Sequence, residues 1–202
     1  MPYTLPALAI YDDGNEELKE VIMESNRIAA FLDQKYQSRQ LIRGSPASQK
    51  AQREFISMIS TVLYPTLAPL FVSSVVNQLS PRSAEYYRNK REIKFGCKLE
   101  ELVASPEIVE GRWATMEAAL DKLANFLDQS VVEGKMLLEA AETDGIEGQT
   151  TKMEPTYAAL VLVATFVSME EVAFAAGTWE RIRMRNDGKW NNVRTLCASY
   201  AY

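Results

Sequence analysis

The sequence predicts a mainly helical protein with a short α/β segment at its front. Three observations carry that reading. Apolar residues recur at helical spacing through most of residues 46–202, strand-like runs around a turn occur over residues 5–22, and a polar stretch with Gly44 and Pro46 at its end separates the two. The expected organisation is an α/β segment over 1–36, a linker over 37–45 and an all-α domain over 46–202.

In the first segment Leu8, Ile10, Val21 and Ile22 anchor two short strands around Asp12-Asp13-Gly14-Asn15, a hairpin-type turn. Ser25 is expected to cap a following helix that aligns Ile28, Ala29, Leu32 and Tyr36 on one face. Two strands alone are marginal in water, so this hairpin should be held by packing on the helical domain or by a strand from another chain. Arg43-Gly44-Ser45-Pro46 then combines a breaker, a cap and an N1 proline. The helix beginning there carries Phe55, Met58, Ile59 and Val62 on its inner stripe to about Leu63. Pro65 and Pro69 lack N–H donors and predict a kink or short break before helix resumes to about Leu79.

Ser80-Pro81 starts the next helix, with Tyr86, Tyr87, Ile93, Phe95, Leu99 and Leu102, and Ser105-Pro106 interrupts it. Over 107–128, Trp113, Met116, Leu120, Leu123 and Leu127 form a clean buried stripe. Glu139 to Gln149 reads as a loop. Pro155 to about Phe174 has almost no polar face, which places that helix in the middle of a bundle. Asp187-Gly188 makes a turn before a last short helix with Trp190, Val193 and Leu196.

Composition narrows the chemistry. Hydrophobic residues make up 47% and charged residues 24%, ordinary values for a packed chain. A net charge of −5 argues against nucleic acid and gives no attraction to anionic membranes. With no histidine, a Ser-His-Asp triad, a Cys-His pair and an imidazole metal site are all excluded. Cys97 and Cys197 lack metal or dithiol spacing and are expected to be buried or half-buried free thiols. Arg181, Arg183, Arg185, Lys189 and Arg194 are expected to lie on a solvated face or to pair with the excess carboxylates. Glu139, Glu142 and Asp144 lack an EF-hand order, so no metal is expected. Neither a signal-peptide pattern nor a run of about 18 apolar residues is present, Ala158 to Met169 being the longest candidate; a soluble, cytoplasmic protein is expected.

Tyr3-Thr4-Leu5-Pro6, the hairpin, and Glu24-Ser25 followed by Ile28, Phe31-Leu32-Asp33 and Tyr36 resemble the second half of the thioredoxin-like domain of a glutathione transferase. Pro155-Thr156-Tyr157-Ala158 is similar to that family's entry to its central helix. The family places Asp three residues after the cap. Ala159 stands there in this chain, so Thr156 caps without the reciprocal bond, a loss of about 1 kcal/mol. Arg82-Ser83-Ala84-Glu85-Tyr86-Tyr87, with Arg91-Glu92, Phe95-Gly96 and Leu99-Glu100-Glu101-Leu102, resembles the fungal, β-etherase-like type.

The resemblance implies an all-helical transferase-like C-terminal domain behind a truncated thioredoxin-like α/β segment. It implies glutathione as ligand or substrate, a small apolar electrophile as second substrate, no metal, and a homodimer. Leu5 and a cis Pro6 would present backbone to the peptide like an added strand. Glu24 and Ser25 would receive the γ-glutamyl end, where a helix N-terminus favours the carboxylate and Glu24 the ammonium group. Met58, Tyr64, Tyr157 and Phe166 can line a second-substrate pocket between helices, or be plain core.

In the family, a strand and helix ahead of the Leu-Pro pair carry the Ser, Tyr or Cys that serves the thiolate. Leu5 lies four residues after Met1, and no residue here matches that position, so no catalytic residue is assigned. The expected function is glutathione conjugation or thioether/ether-bond chemistry, weak or lost for want of that group. The alternative is a non-catalytic helical binding or interaction module derived from the fold. A third reading is an incomplete version of a longer active enzyme.

Overall fold

The computed structural model describes residues 6–12, 14, 17–36, 41–129, 138–140, 153–172 and 178–200. The chain divides into two compact units, Met1–Gly44 and Ser45–Tyr202.

The first unit is a hairpin and a helix. Strands β1 (Ala7–Tyr11) and β2 (Leu18–Met23) pair antiparallel, with Ala7 opposite Met23 and a bulge between Ile10 and Tyr11. Helix α1 (Ser25–Lys35) packs against both strands, and Ile22 is buried. Asp33 ties down the chain beyond α1: its carboxylate accepts from the backbone N–H groups of Leu41 at 2.5 Å and Ile42 at 3.0 Å.

The second unit is a helical bundle. Helix α2 (Pro46–Met58) starts as expected, with Pro46 at N1 and Ser45 Oγ accepting from the Ser48 N–H at 3.2 Å. The break expected at Pro65 is absent. A π-helical turn, Ile59–Leu63, leads directly into α3 (Tyr64–Val76). The Pro65 ring would crowd the carbonyl four residues back, and a wider turn gives it room; the Tyr64 N–H reaches five residues back to Ile59. The fused helix, 46–76, is 31 residues long and apolar enough to cross a bilayer by length and composition, but half of its most apolar window is buried inside the unit. Its end tightens into i→i−3 bonds from Asn77, Gln78 and Leu79 rather than continuing as α-helix.

Helix α4 (Pro81–Phe95) ends at Gly96, whose left-handed backbone (φ 71°) closes the last turn. A 3₁₀ turn, Leu99–Val103, precedes α5 (Pro106–Gln129), and α6 (Tyr157–Val172), α7 (Thr178–Arg183) and α8 (Lys189–Leu196) complete the bundle. Trp113, Met116, Leu120 and Leu123 of α5 are buried as the stripe predicted. Helix α6 occupies the interior, touching α2, α3, α7 and α8, and Ala158, Ala159, Leu162, Val163, Phe166 and Met169 are all buried. Thr156 Oγ1 accepts from the Ala159 N–H at 3.4 Å, so the cap stands without its acidic partner. Both cysteines are free, Cys97 half-buried and Cys197 buried. Glu139 and Ala140, expected in a loop, instead belong to a short ladder of β3 (Leu138–Ala140) with β4 (Met153–Pro155). The remainder of that expected loop, with Glu142 and Asp144, lies outside the described residues, as does Phe174.

The C-terminal basic cluster is ion-paired. Glu110, Glu117, Asp121 and Asp128 run in one stripe along α5. Arg181 bonds Glu110 and Glu117, Arg185 bonds Asp121 and Glu117, and Lys189 bonds Asp128. Arg183 pairs with Glu180 and Arg194 with Glu170. The Arg185 guanidinium, joined by the Asn186 amide, holds the Asp121 carboxyl below its ordinary value of 3.8. Because the folded-state pKa is the lower one, this stabilisation is complete above the unfolded value and disappears as pH falls through the folded one. Denaturant midpoints measured from pH 7 down to pH 2 should therefore fall more steeply for the natural chain than for Asp121→Asn. Parallel curves would remove Asp121 from the acid response.

Candidate functional site

The hairpin register builds the first half of the candidate site. With Ala7 paired to Met23, the next residues outward, Pro6 and Glu24, come to the same end of the ladder. Neighbouring strands lie about 5 Å apart there. Pro6, Glu24 and Ser25 are all exposed. Leu5, and with it the geometry of the Leu5–Pro6 bond, lies outside the described residues.

Glu24 is the unexpected feature. It holds φ 73° and ψ 120°, a backbone region that L-residues rarely adopt, at the junction of β2 and α1. Such a residue costs about 1–3 kcal/mol and persists only where its surroundings enforce it. No glycine marks the position, so the sequence carries no signal of it. The residue also corrects the assignment of the helix cap. Glu24, not Ser25, is the N-cap; its carbonyl accepts from Arg27 at 2.9 Å and Ile28 at 3.0 Å, and its side chain makes no capping bond. Ser25 is the first helical residue, and its hydroxyl makes no hydrogen bond among the described residues. A helix N-terminus without a side-chain cap, beside a carboxylate and a hydroxyl, can take a carboxylate on its N–H groups and an ammonium group on Glu24.

The four candidate second-substrate residues lie in the second unit and differ in exposure. Tyr64 is 42% exposed where the π-helical turn meets α3. Met58 and Tyr157 are half-buried at the margin of the main core, and burial pushes the Tyr157 phenol up, keeping it protonated at neutral pH. Phe166 is 1% exposed, with ring centroids 5.7 Å from Trp179 and 6.0 Å from Trp190. No group of three or more His, Cys, Asp or Glu among the described residues is placed to hold a metal.

A small two-stranded sheet with one helix, followed by a bundle built on an apolar central helix, defines a glutathione-transferase architecture. The sequence model "Glutathione S-transferase, C-terminal domain" matches residues 51–200, and the chain belongs to that family. No curated protein matches it by sequence. Solved structures match it by superposition. The glutathione S-transferase CsGST63524 of Ceriporiopsis subvermispora, in complex with glutathione, superposes with a TM-score of 0.76 at 25% identity, covering 99% of this chain and 72% of that one. Glutathione transferase GSTFuA2 of Phanerochaete chrysosporium gives 0.73 at 28% identity, with 99% and 72% covered. GSTFuA3 of the same fungus gives 0.74 at 26% identity, with 100% and 72% covered.

Proposed function

We propose that this chain binds glutathione through the open end of its hairpin, with Leu5 and Pro6 presenting backbone to the peptide and Glu24 and Ser25 receiving its γ-glutamyl end. The observation that carries the reading is the strained backbone of Glu24, set by the strand register at the same end as Pro6 and directly ahead of the α1 N-terminus. The glutathione-bound state of CsGST63524 supports it. Met58, Tyr64, Tyr157 and Phe166 are assigned to the side that takes an apolar electrophile, Tyr64 offering the open surface. The reaction class is thiol conjugation or thioether/ether-bond chemistry of the fungal, β-etherase-like type, in the cytoplasm, by a homodimer. No residue of this chain is assigned to thiolate activation.

Calorimetric titration with glutathione tests the site. Binding is expected, weakened about tenfold or more by Glu24→Gln, which removes the charge that meets the ammonium group. No heat at millimolar glutathione, or equal binding by the variant, would remove the assignment. A conjugation assay on the same samples separates an enzyme from a carrier: binding without acceleration over the uncatalysed thiol reaction would leave the non-catalytic module.

A further inference from the structure

Helices α7 and α8 cover a residue assigned to the electrophile. Phe166, on α6, is buried, with Trp179 of α7 and Trp190 of α8 against it. Met58, Tyr64 and Tyr157 keep part of their surface in solvent, whereas Phe166 meets no ligand while α7 and α8 are seated. Their seat is narrow in its apolar part. Over residues 178–197 the buried apolar side chains are Ile182, Trp190, Val193 and Cys197. The charged part is broader. Arg181, Arg185 and Lys189 reach carboxylates of α5, and Arg194 bonds Glu170 of α6. The Arg194 guanidinium also lies 4.7 Å from the Trp179 ring centroid, so one group holds both that ring and Glu170. In each of these pairs at least one side chain is 30% exposed or more, within reach of screening by salt. Backbone adds little. Helix α7 has six residues and α8 eight, too short to stand as isolated helices. The turn between them holds Asn186 and Asp187 in strained left-handed conformations.

We propose that α7 and α8 form a lid over Phe166 that opens as one local unit, with the ion pairs to α5 and to Glu170 as its latch. Opening moves Trp179 and Trp190 off Phe166 and turns that face of α6 to solvent; closing rebuilds the pairs. A segment with few buried apolar side chains and solvent-exposed tethers opens at a lower free energy than the whole domain unfolds. An apolar electrophile that binds only the uncovered face shifts the population toward the open form. That use of the lid rests on the assignment of Phe166 to the electrophile; the opening itself does not.

Cys197 reports the opening, because its buried thiol meets a reagent only when the lid lifts. The experiment uses the full chain with Cys97→Ser, which leaves that thiol alone, and dithiodipyridine, a neutral reagent whose approach salt does not steer. Rates are taken relative to a free thiol in the same buffer. Labelling should rise with urea less steeply than global unfolding does. Raising NaCl to about 1 M should speed it about fivefold, and Glu117→Gln with Asp121→Asn about tenfold. Fraying of the residues after α8 would not respond to that double variant, since Arg181 and Arg185 precede α8. Labelling with the urea dependence of global unfolding overturns the proposal, as does a rate unmoved by salt and by the double variant. Neither glutathione nor an electrophile is present, so either failure leaves the binding assignment standing, and absence of glutathione binding leaves the lid.

Discussion

Replacing Trp190 by alanine is expected to lower the unfolding free energy by about 3–5 kcal/mol, a large share of the total for a domain of this kind. Trp190 is fully buried and meets the Phe166 ring edge-on. Its polar edge does further work. The indole N–H donates to Asn186 Oδ1 at 2.8 Å, and the Asn186 amide donates to Asp121 Oδ1 at 2.9 Å. Asn186 and Asp187 both hold left-handed backbones, φ 52° and 56°, so this bridge supports a turn that most L-residues resist. Alanine leaves a cavity and removes the donor to Asn186. Phenylalanine fills most of the space and removes only the donor, at a cost of about 1–3 kcal/mol. Urea denaturation followed by circular dichroism measures both. Equal, small losses would mean that the indole is dispensable.

Phe166→Ala should cost about 3–5 kcal/mol as well, and it addresses the double reading of that residue. Packed between Trp179 and Trp190, Phe166 has the surroundings of a core residue. A core residue loses stability on truncation and shifts the tryptophan emission of the folded state. A residue that only lined a substrate pocket would change affinity for an apolar electrophile with little change in denaturation midpoint. The cost should be non-additive with Trp190→Ala, since the two rings share one contact. Tyr64→Ala, at an exposed position, makes the comparison: it should leave the midpoint nearly unchanged.

Much of the fold was legible because it depends on local interactions. Ser45-Pro46 and Thr156 announced helix starts through the orphan N–H groups they satisfy, and both caps are made. The stripe from Trp113 to Leu123 followed from helical period alone. The charge excess implied that the C-terminal basic residues had carboxylates available, though their partners are some 60 residues distant in sequence for Arg181, Arg185 and Lys189. The candidate site was legible in its residue types and not in its geometry. Nothing in the letters around Glu24 shows a left-handed backbone, because no glycine relieves it.

By itself, the sequence determined the mostly helical class, the apolar middle helix and the caps at Ser45 and Thr156, all of which follow from side-chain chemistry and nearest-neighbour spacing. Tertiary structure decided how the chain tolerates Pro65, which element Glu139 joins, and how Trp190, Asn186 and Asp121 share hydrogen bonds. Those outcomes depend on packing between residues far apart in the chain. At Pro65 a π-helical turn, rather than a break, makes room for the ring, and no short-range pattern in the letters records that choice.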